Sequence, residues 1–234
     1  MSKRHRLGQH FLISQSVAQS IVSVANITKN DVVLEIGTGK GILVPFLCKK
    51  AERVISYESD KRLYLTAKSK FANFDNLTLK HENGFKTQEN FTIFVSNLPY
   101  SQSRHALEWL IQKKFSHAVI MVQKEFAQKL LAEKKNRKAL SVLVTYTLDI
   151  KKLMDIKKNN FVPPPKINSV VLKLARKRTI SIDLIKNVNK LFSYRRKTIQ
   201  NIFKQFGQII NSNQRLDDLS GDDIIKIAKK ISRT

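Results

Sequence analysis

Short apolar runs alternate with amphipathic segments over most of this chain. The seven runs that predict buried strands span residues 31–36, 53–57, 77–80, 93–96, 118–122, 150–156 and 169–175. Segments between many of these runs repeat their apolar residues every three or four positions, as amphipathic helices do. Strands that alternate with helices build a mostly parallel sheet covered on both faces. The pattern therefore predicts an α/β doubly wound fold.

The pattern changes near Arg176, after which only helices are predicted. Apolar residues recur at helical spacing within 199–206, and 219–231 forms another amphipathic segment. We therefore expect an α/β domain over residues 1–176 and a small all-α domain over residues 177–234.

A glycine-rich turn follows the first predicted strand. Glu35 lies near the end of that strand, and Gly37, Gly39 and Gly41 follow at every second position. A strand, a glycine turn and a helix form the entry to a nucleotide-type site. The third glycine of the dinucleotide fingerprint and the ending of a Walker motif are both absent. The loop thus suits close approach to a ribose and an amino-acid group better than a grip on pyrophosphate.

Three more of the predicted strands lead into polar side chains. Glu58 follows the second strand about twenty residues after Gly37, where an acidic residue accepts hydrogen bonds from ribose hydroxyls. Asn83 follows the third strand and can pair with the edge of an adenine, and Asn97 follows the fourth. Because parallel strands present their carboxyl ends at one edge, we expect these side chains to share one ligand site.

A rigid turn joins Asn97 to Tyr100. Pro99 fixes its own φ and biases Leu98 away from helix. The Asn97 amide oxygen and the flat face of Tyr100 together suit a planar base that carries an exocyclic amine. Four residues of this kind also occur in ordinary loops, so the choice between a ligand site and an ordinary loop depends on the rest of the chain.

Composition points to a polyanionic partner. The chain has 43 Lys and Arg against 18 Asp and Glu, a net charge of +25 and a pI near 10.2. Such a field favours nucleic acid, although a strongly solvated surface is the alternative. The candidate phosphate contacts are a basic cluster, Arg195, Arg196 and Lys197, that leads into the apolar stripe at 199–206.

Several other classes of protein are disfavoured. A single cysteine, Cys48, excludes an internal disulfide framework and suits a reducing compartment. The histidines show no paired ligand spacing, so no metal site is predicted. No apolar stretch approaches the ~18 residues of a membrane span, and the basic N-terminus lacks the apolar region of a signal peptide. We therefore expect a cytoplasmic protein with no membrane partner, and a monomer by default.

Six motifs give the chain a specific resemblance. They are GQHFL (8–12), EIGTGKG (35–41), YESD (57–60), NLPY (97–100), QKEFA (123–127) and FVPPPKINSVVLKL (161–174). In this order they resemble the KsgA/Erm family of rRNA adenine dimethyltransferases, which use S-adenosylmethionine. The segment FSYRRKTIQN (192–201) is more similar to the KsgA branch, which acts on small-subunit rRNA. The short C-terminal part looks most like archaeal members.

The resemblance implies a fold and a set of site residues. The fold is that of a class I S-adenosylmethionine-dependent methyltransferase, Rossmann-like, with a seven-stranded mostly parallel sheet and a small all-α C-terminal domain. The implied cofactor contacts are His10, Leu12, Gly37, Gly39, Glu58, Asn83 and Asn97. The implied catalytic residues are Asn97, Leu98 and Tyr100, and Arg195, Arg196 and Lys197 would hold the rRNA.

The chain also departs from the family pattern. It has His10 where the family usually has Asn, Thr38 where it has Pro, and Asn83 where it has Asp. The segment at 101–105 also differs from the usual sequence after the tyrosine. The expected function is N6-dimethylation of adenosines in small-subunit rRNA during ribosome biogenesis. The alternatives are an Erm-like methyltransferase of 23S rRNA that confers antibiotic resistance and a non-catalytic ribosome-assembly factor.

Overall fold

The computed structural model describes residues 9–132, 137–207 and 209–231, so Gly8 of the first motif lies outside the described residues. The chain forms two compact units. The first contains residues up to 106 together with 113–124 and 150–176. The second contains 107–112, 125–149 and the chain from 177 onward. One unit boundary thus falls at residue 176, and the division into domains at 1–176 and 177–234 stays a prediction.

The described residues form nine strands. In chain order they are β1 Phe11–Leu12, β2 Val32–Ile36, β3 Arg53–Tyr57, β4 Leu77–Lys80, β5 Ile93–Ser96, β6 His117–Gln123, β7 Leu148–Ile156, β8 Phe161–Val162 and β9 Ser169–Arg176. Seven of them form one sheet in the order β4-β3-β2-β5-β6-β9-β7. The five strands from β4 to β6 run parallel, and β9 is antiparallel to β6. The predicted seven-stranded, mostly parallel sheet is confirmed.

Within the described ranges, the chain also forms nine α-helices. They are α1 Gln15–Val24, α2 Val44–Lys50, α3 Lys61–Lys70, α4 Ser103–Leu110, α5 Lys124–Leu130, α6 Ala139–Thr147, α7 Ile182–Ser193, α8 Ile199–Lys204 and α9 Gly221–Ile231. Ser14 caps α1 by accepting a hydrogen bond from the Val17 amide at 3.3 Å. The helix that follows the glycine loop, α2, begins at Val44. Pro45 stands in the first turn, where a proline fits a helix best.

The period-two pattern of the strands divides the first unit's core into two faces. Val33, Val54 and Ile93 are buried on the face that also holds the apolar residues of α1 and α2. Cys48 belongs to this cluster, and burial raises the pKa of its thiol to about 12. The thiol is therefore an inert core group.

The N-terminal segment forms a small antiparallel ribbon with the residues before the prolines. Phe11 pairs with Val162 and Leu12 with Phe161, and the Ile13 amide donates to the carbonyl of Asn160 at 2.9 Å. The proline-containing segment 161–165 is therefore a strand over its first two residues. That strand ends before Pro163, because a proline has no amide hydrogen to donate.

The second unit is helical, as expected for the residues beyond 176. Helix α9 packs against α6 and α7, and the Asn187 side chain donates to the Ala228 carbonyl at 3.1 Å. Ile199, Ile202 and Phe203 are buried, so the predicted apolar stripe is core. Among the described residues, no helix is long and apolar enough to cross a membrane.

Candidate active site

A cavity of about 270 Å³ lies in the first unit, where β2, β3, β4 and β5 end. Its lining includes all the residues expected to contact the cofactor, namely His10, Leu12, Gly37, Gly39, Glu58, Asn83 and Asn97. Leu98 lines it as well. The parallel strands bring Gly37, Glu58, Asn83 and Asn97 together, because strands that run parallel present their carboxyl ends at the same edge. His10 and Leu12 reach the cavity from the N-terminal segment, which pairs with β8 outside this sheet.

The glycine loop depends on conformations that side chains rarely adopt. Gly37 has a φ of +86°, and its amide donates to the Tyr57 carbonyl at 2.7 Å. Gly41 has a φ of +72°, and a Cβ there would overlap the Phe71 ring. The loop can thus turn sharply against β3 while its backbone stays open to the cavity.

Glu58 is anchored by backbone amides on both oxygens. Its Oε2 accepts from the Gly39 amide at 2.7 Å, and its Oε1 accepts from the Asp60 amide at 2.9 Å. The residue is only 5% exposed. Each carboxylate oxygen has a second lone pair, so Glu58 can still accept hydrogen bonds from a ligand.

Glu35 lines the same cavity and is held in a different way. Its Oε2 accepts from the Ser56 hydroxyl at 2.6 Å, and that hydroxyl lies 2.6 Å from the hydroxyl of Thr38. Burial, with the nearby charge of Glu58, raises the pKa of Glu35 to about 8. Near pH 7 the carboxyl therefore binds a proton in most molecules. Thr38 and Ser56 carried no sequence signal for this network.

Asn83 follows β4, which lies two strands away from β2 in the sheet, and its side chain is exposed. Its Oδ1 accepts from the Phe85 amide at 3.1 Å and so caps a 3₁₀ turn at Gly84–Lys86. The Phe85 ring stacks on His105 with centroids 4.4 Å apart. Phe85 and His105 both line the cavity, and sequence reasoning had given His105 no role.

Asn97 follows β5 directly, and its carboxamide lines the cavity. Within the parts of the chain that the structure describes, the Asn97 side chain has no hydrogen-bond partner. The preceding Ser96 donates its hydroxyl to the Ile36 carbonyl at 2.6 Å and so ties β5 to the end of β2. Leu98 is buried, 6% exposed. The amide oxygen of Asn97 therefore remains available to a ligand in the cavity.

Tyr100 lies outside the cavity lining, in a group of aromatic rings. Its ring centroid is 5.5 Å from that of His10 and 6.5 Å from that of Phe161. Its hydroxyl lies 2.5 Å from the hydroxyl of Ser169, and burial raises the pKa of the phenol. His10 in turn lies with Nδ1 2.7 Å from the Pro163 carbonyl oxygen. The N-terminal segment and β8 thus supply two of the three rings.

The three cations of the basic cluster at 195–197 differ in whether a carboxylate is paired with them. The Nη2 of Arg195 donates to both carboxylate oxygens of Asp217, at 2.9 and 2.8 Å. Arg196 and Lys197 are exposed, and the Lys197 ammonium lies 5.2 Å from the Tyr194 ring. The first cation is already neutralised by a carboxylate, whereas the other two face solvent.

Comparison with known proteins identifies the family. A family model described as ribosomal RNA adenine dimethylase matches residues 1–233. The chain belongs to the ribosomal RNA adenine dimethylase family. It is 36% identical over 243 residues to the ribosomal RNA small subunit methyltransferase A of Thermotoga petrophila, covering 99% of this chain and 92% of the relative. The protein of the same name from Thermotoga maritima is 35% identical over 241 residues, covering 99% and 86%.

Solved structures of this family share the fold. A dimethyladenosine transferase from Plasmodium falciparum aligns with a TM-score of 0.81 and 26% identity, covering 96% of this chain and 98% of that one. The 23S rRNA methyltransferase ErmE aligns with a TM-score of 0.71 and 18% identity, covering 95% and 99%, which shows the fold alone. The fold is therefore that of the class I methyltransferases, and the chain is an rRNA adenine dimethyltransferase by family. The expected likeness of its C-terminal part to archaeal members stays a prediction.

Proposed function

We propose that the chain uses S-adenosylmethionine to dimethylate adenosines of small-subunit rRNA at N6, as a step in ribosome biogenesis. The observation that carries the proposal is the carboxamide of Asn97, which lines a cavity together with the glycine loop and Glu58. The relatives named as small-subunit rRNA methyltransferases support the choice of substrate.

The donor set of the cavity fits S-adenosylmethionine, the methyl donor of this family. Glu58 keeps free lone pairs for the ribose hydroxyls, and Gly37 and Gly39 allow the backbone to come close to the ligand. Asn83 would pair with the adenine edge. His10 and Leu12 would cover the site from the N-terminal segment. When bound, the cofactor supplies a methyl group on a positively charged sulfur.

Asn97 and Leu98 would prepare the target amine for transfer. The exocyclic nitrogen of adenine is a weak nucleophile because its lone pair is delocalised into the ring. If the Asn97 amide oxygen and the Leu98 carbonyl accept its two hydrogens, the nitrogen rehybridises and its developing positive charge is stabilised. No strong base is required, because the amine proton becomes acidic once the nitrogen is methylated. A second transfer follows if the cavity accepts the first methyl group.

Tyr100 would act on the base rather than on the amine. An adenine must leave its stack to reach the cavity, and aromatic side chains bind bases that are splayed out of RNA. Tyr100 has a fixed hydroxyl and stands beside His10 and Phe161, so its ring is held in place for such a contact. On the second unit, the exposed Arg196 and Lys197 would bind rRNA phosphates and make affinity depend on salt. Arg195, which is held by Asp217, would position this segment.

The decisive experiment is transfer of labelled methyl from S-adenosylmethionine to unmodified small subunits, with naked 16S-type and 23S-type rRNA in parallel. The expected result is label in the small subunit, recovered as dimethyladenosine after digestion. Label only in the 23S-type RNA would move the protein to the Erm branch. Tight binding of small subunits without label would instead support the non-catalytic assembly factor.

A further inference from the structure

A second basic surface lies on α9, away in sequence from the cluster at 195–197. The helix is fixed by a buried apolar side, which consists of Ile224, Ile225, Ala228 and Ile231. The exposed side carries Lys226, Lys229 and Lys230. Lys226 pairs with Asp223 at 3.1 Å. Lys229 and Lys230 have no carboxylate within ion-pair distance in the described part of the chain.

Lys229 shares an aromatic ring with a second cation. Its ammonium lies 5.4 Å from the centroid of Tyr146, and the guanidinium carbon of Arg178 lies 5.0 Å from the same centroid. All three residues belong to the second unit. A ring attracts cations through its quadrupole but does not neutralise them. The Tyr146 ring therefore places the Lys229 ammonium near the Arg178 guanidinium without cancelling the charge of Lys229.

Arg178 also has a purely structural contact. Its Nη1 donates to the Tyr146 carbonyl at 3.4 Å, near the C-terminal end of α6. A cation at the end of a helix stabilises the last carbonyls, so this arginine has a reason to be present without any ligand. Lys229 and Lys230 stand in the last turn of α9, where a cation is likewise favoured, but Lys229 makes no hydrogen bond to a carbonyl among those of the described residues. Lys229 is therefore the less constrained member of the pair.

The acidic residues on this helix do not cancel the positive charge of its exposed lysines. Asp222 and Asp223 both stand in the first turn of α9, and Asp223 already binds Lys226 and the Ser220 hydroxyl, the latter at 2.6 Å. A groove along the helix is lined by Asp223, Lys226, Ile227, Lys229 and Lys230. Positive charge thus increases along the groove toward the C-terminal end of the helix.

We propose that Arg178, Lys229 and Lys230, with Tyr146 as their support, form a second phosphate-contact surface for RNA, here termed the Tyr146 surface. The proposal rests on the proposed function, since it assumes that the chain binds RNA. Closely spaced cations match the regular phosphates of a nucleic-acid backbone and release its condensed counterions on binding. A net charge of +25 favours the same partner.

The test measures RNA affinity against salt for Lys229→Ala/Lys230→Ala in the full chain. The ligand is a fragment of small-subunit rRNA, and dissociation constants are taken between about 50 and 200 mM salt. The slope of log K against log salt is negative, and removal of one phosphate contact makes it less steep by about 0.7 to 0.9. We expect the double variant to make the slope less steep by about 1.5, so that its loss of affinity relative to the wild type is about eightfold larger at about 50 mM than at about 200 mM salt. Lys229→Arg/Lys230→Arg should restore the slope.

Lys186→Ala is the matched control, because Lys186 is an exposed lysine of the same unit that lies 3.9 Å from Asp183. The melting temperature of each variant separates weaker packing on Tyr146 from weaker binding of RNA. A double variant with wild-type slope and affinity would overturn the proposal. A wild-type chain that binds no RNA would overturn the proposed function as well, so the two failures are distinguishable.

Discussion

The cavity and the basic cluster at 195–197 hold their charged side chains in opposite ways. Glu58 is oriented by two backbone amides, which are neutral donors. Arg195 is oriented by Asp217, which is an anion. Both side chains are fixed, but only Glu58 keeps its charge for a ligand. A residue's partner therefore decides whether a charged side chain is a binding group or a structural one.

The same difference separates Arg195 from its neighbours. Arg196 and Lys197 are exposed, and Lys197 stands over Tyr194 much as Lys229 stands over Tyr146. An aromatic ring positions a cation without cancelling it. We therefore expect ligand binding to depend on the charges that neutral groups support, in the cavity and on the helical unit alike.

The largest effect is expected from Asn97→Ala. Because the variant removes an acceptor for the target amine, methyl transfer should fall by at least about a hundredfold, which is the typical effect of removing one positioned transition-state contact. Binding of S-adenosylmethionine, followed by calorimetry, should weaken far less than transfer, because Asn97 is only one of the expected cofactor contacts. Asn90→Ala, an exposed asparagine before β5, is the control. Methyl transfer near the wild-type rate would contradict the role given to Asn97.

The second largest effect is expected from a change of Glu58, the carboxylate that backbone amides anchor. Glu58→Gln keeps the shape of the side chain but removes its charge and turns one acceptor into a donor. We expect the dissociation constant of S-adenosylmethionine to rise by about tenfold to a hundredfold, since hydrogen bonds to charged groups are worth about 1.5–3 kcal/mol. Equilibrium binding measures this change. Asp75→Asn changes an exposed carboxylate near β4 and should leave the affinity unaltered.

Glu35 provides a third test, through pH. Its pKa is raised to about 8 in the folded chain from an ordinary value of 4.5. Between these two values the folded state binds the proton that the unfolded state has released, so the free energy of unfolding should fall as pH rises. The fall should amount to a few kcal/mol and be complete slightly above about pH 8.

The measurement is chemical denaturation of the wild type and of Glu35→Gln from about pH 5 to about pH 9. Glutamine does not titrate, so the variant should lack this part of the pH dependence. Equal slopes in the two proteins would show that the surroundings of Glu35 do not raise its pKa, and would contradict the prediction.

The smallest effect separates Arg195 from Arg196. Arg196→Ala should lower the salt slope of RNA binding by about 0.7 to 0.9, as removal of one phosphate contact does. Arg195→Ala should leave that slope nearly unchanged, because Asp217 already occupies the guanidinium. It should instead cost about 1 kcal/mol or less of folding free energy, since the pair is partly exposed. An Arg195→Ala slope as low as that of Arg196→Ala would contradict the comparison.

The amino-acid sequence by itself determined the strands of the sheet and the polar residues that follow them at the cavity. Apolar runs of the right length marked all seven strands of the sheet, and Glu58, Asn83 and Asn97 were found because each closely follows such a run. The parallel order of the strands then places them at one edge. These features are local in sequence, which is why pattern and turn chemistry sufficed.

Only the tertiary structure decided which partner each side chain has. The pairing of Leu12 with Phe161, the network from Thr38 through Ser56 to Glu35, and the ion pair of Arg195 with Asp217 all join residues far apart in the chain. The spacing of apolar residues does not predict such contacts. It indicates which face of a helix or strand is buried, but not which residues pack against that face. The chemistry of a site depends on those partners, so the residues could be named from the sequence while their charges and orientations could not.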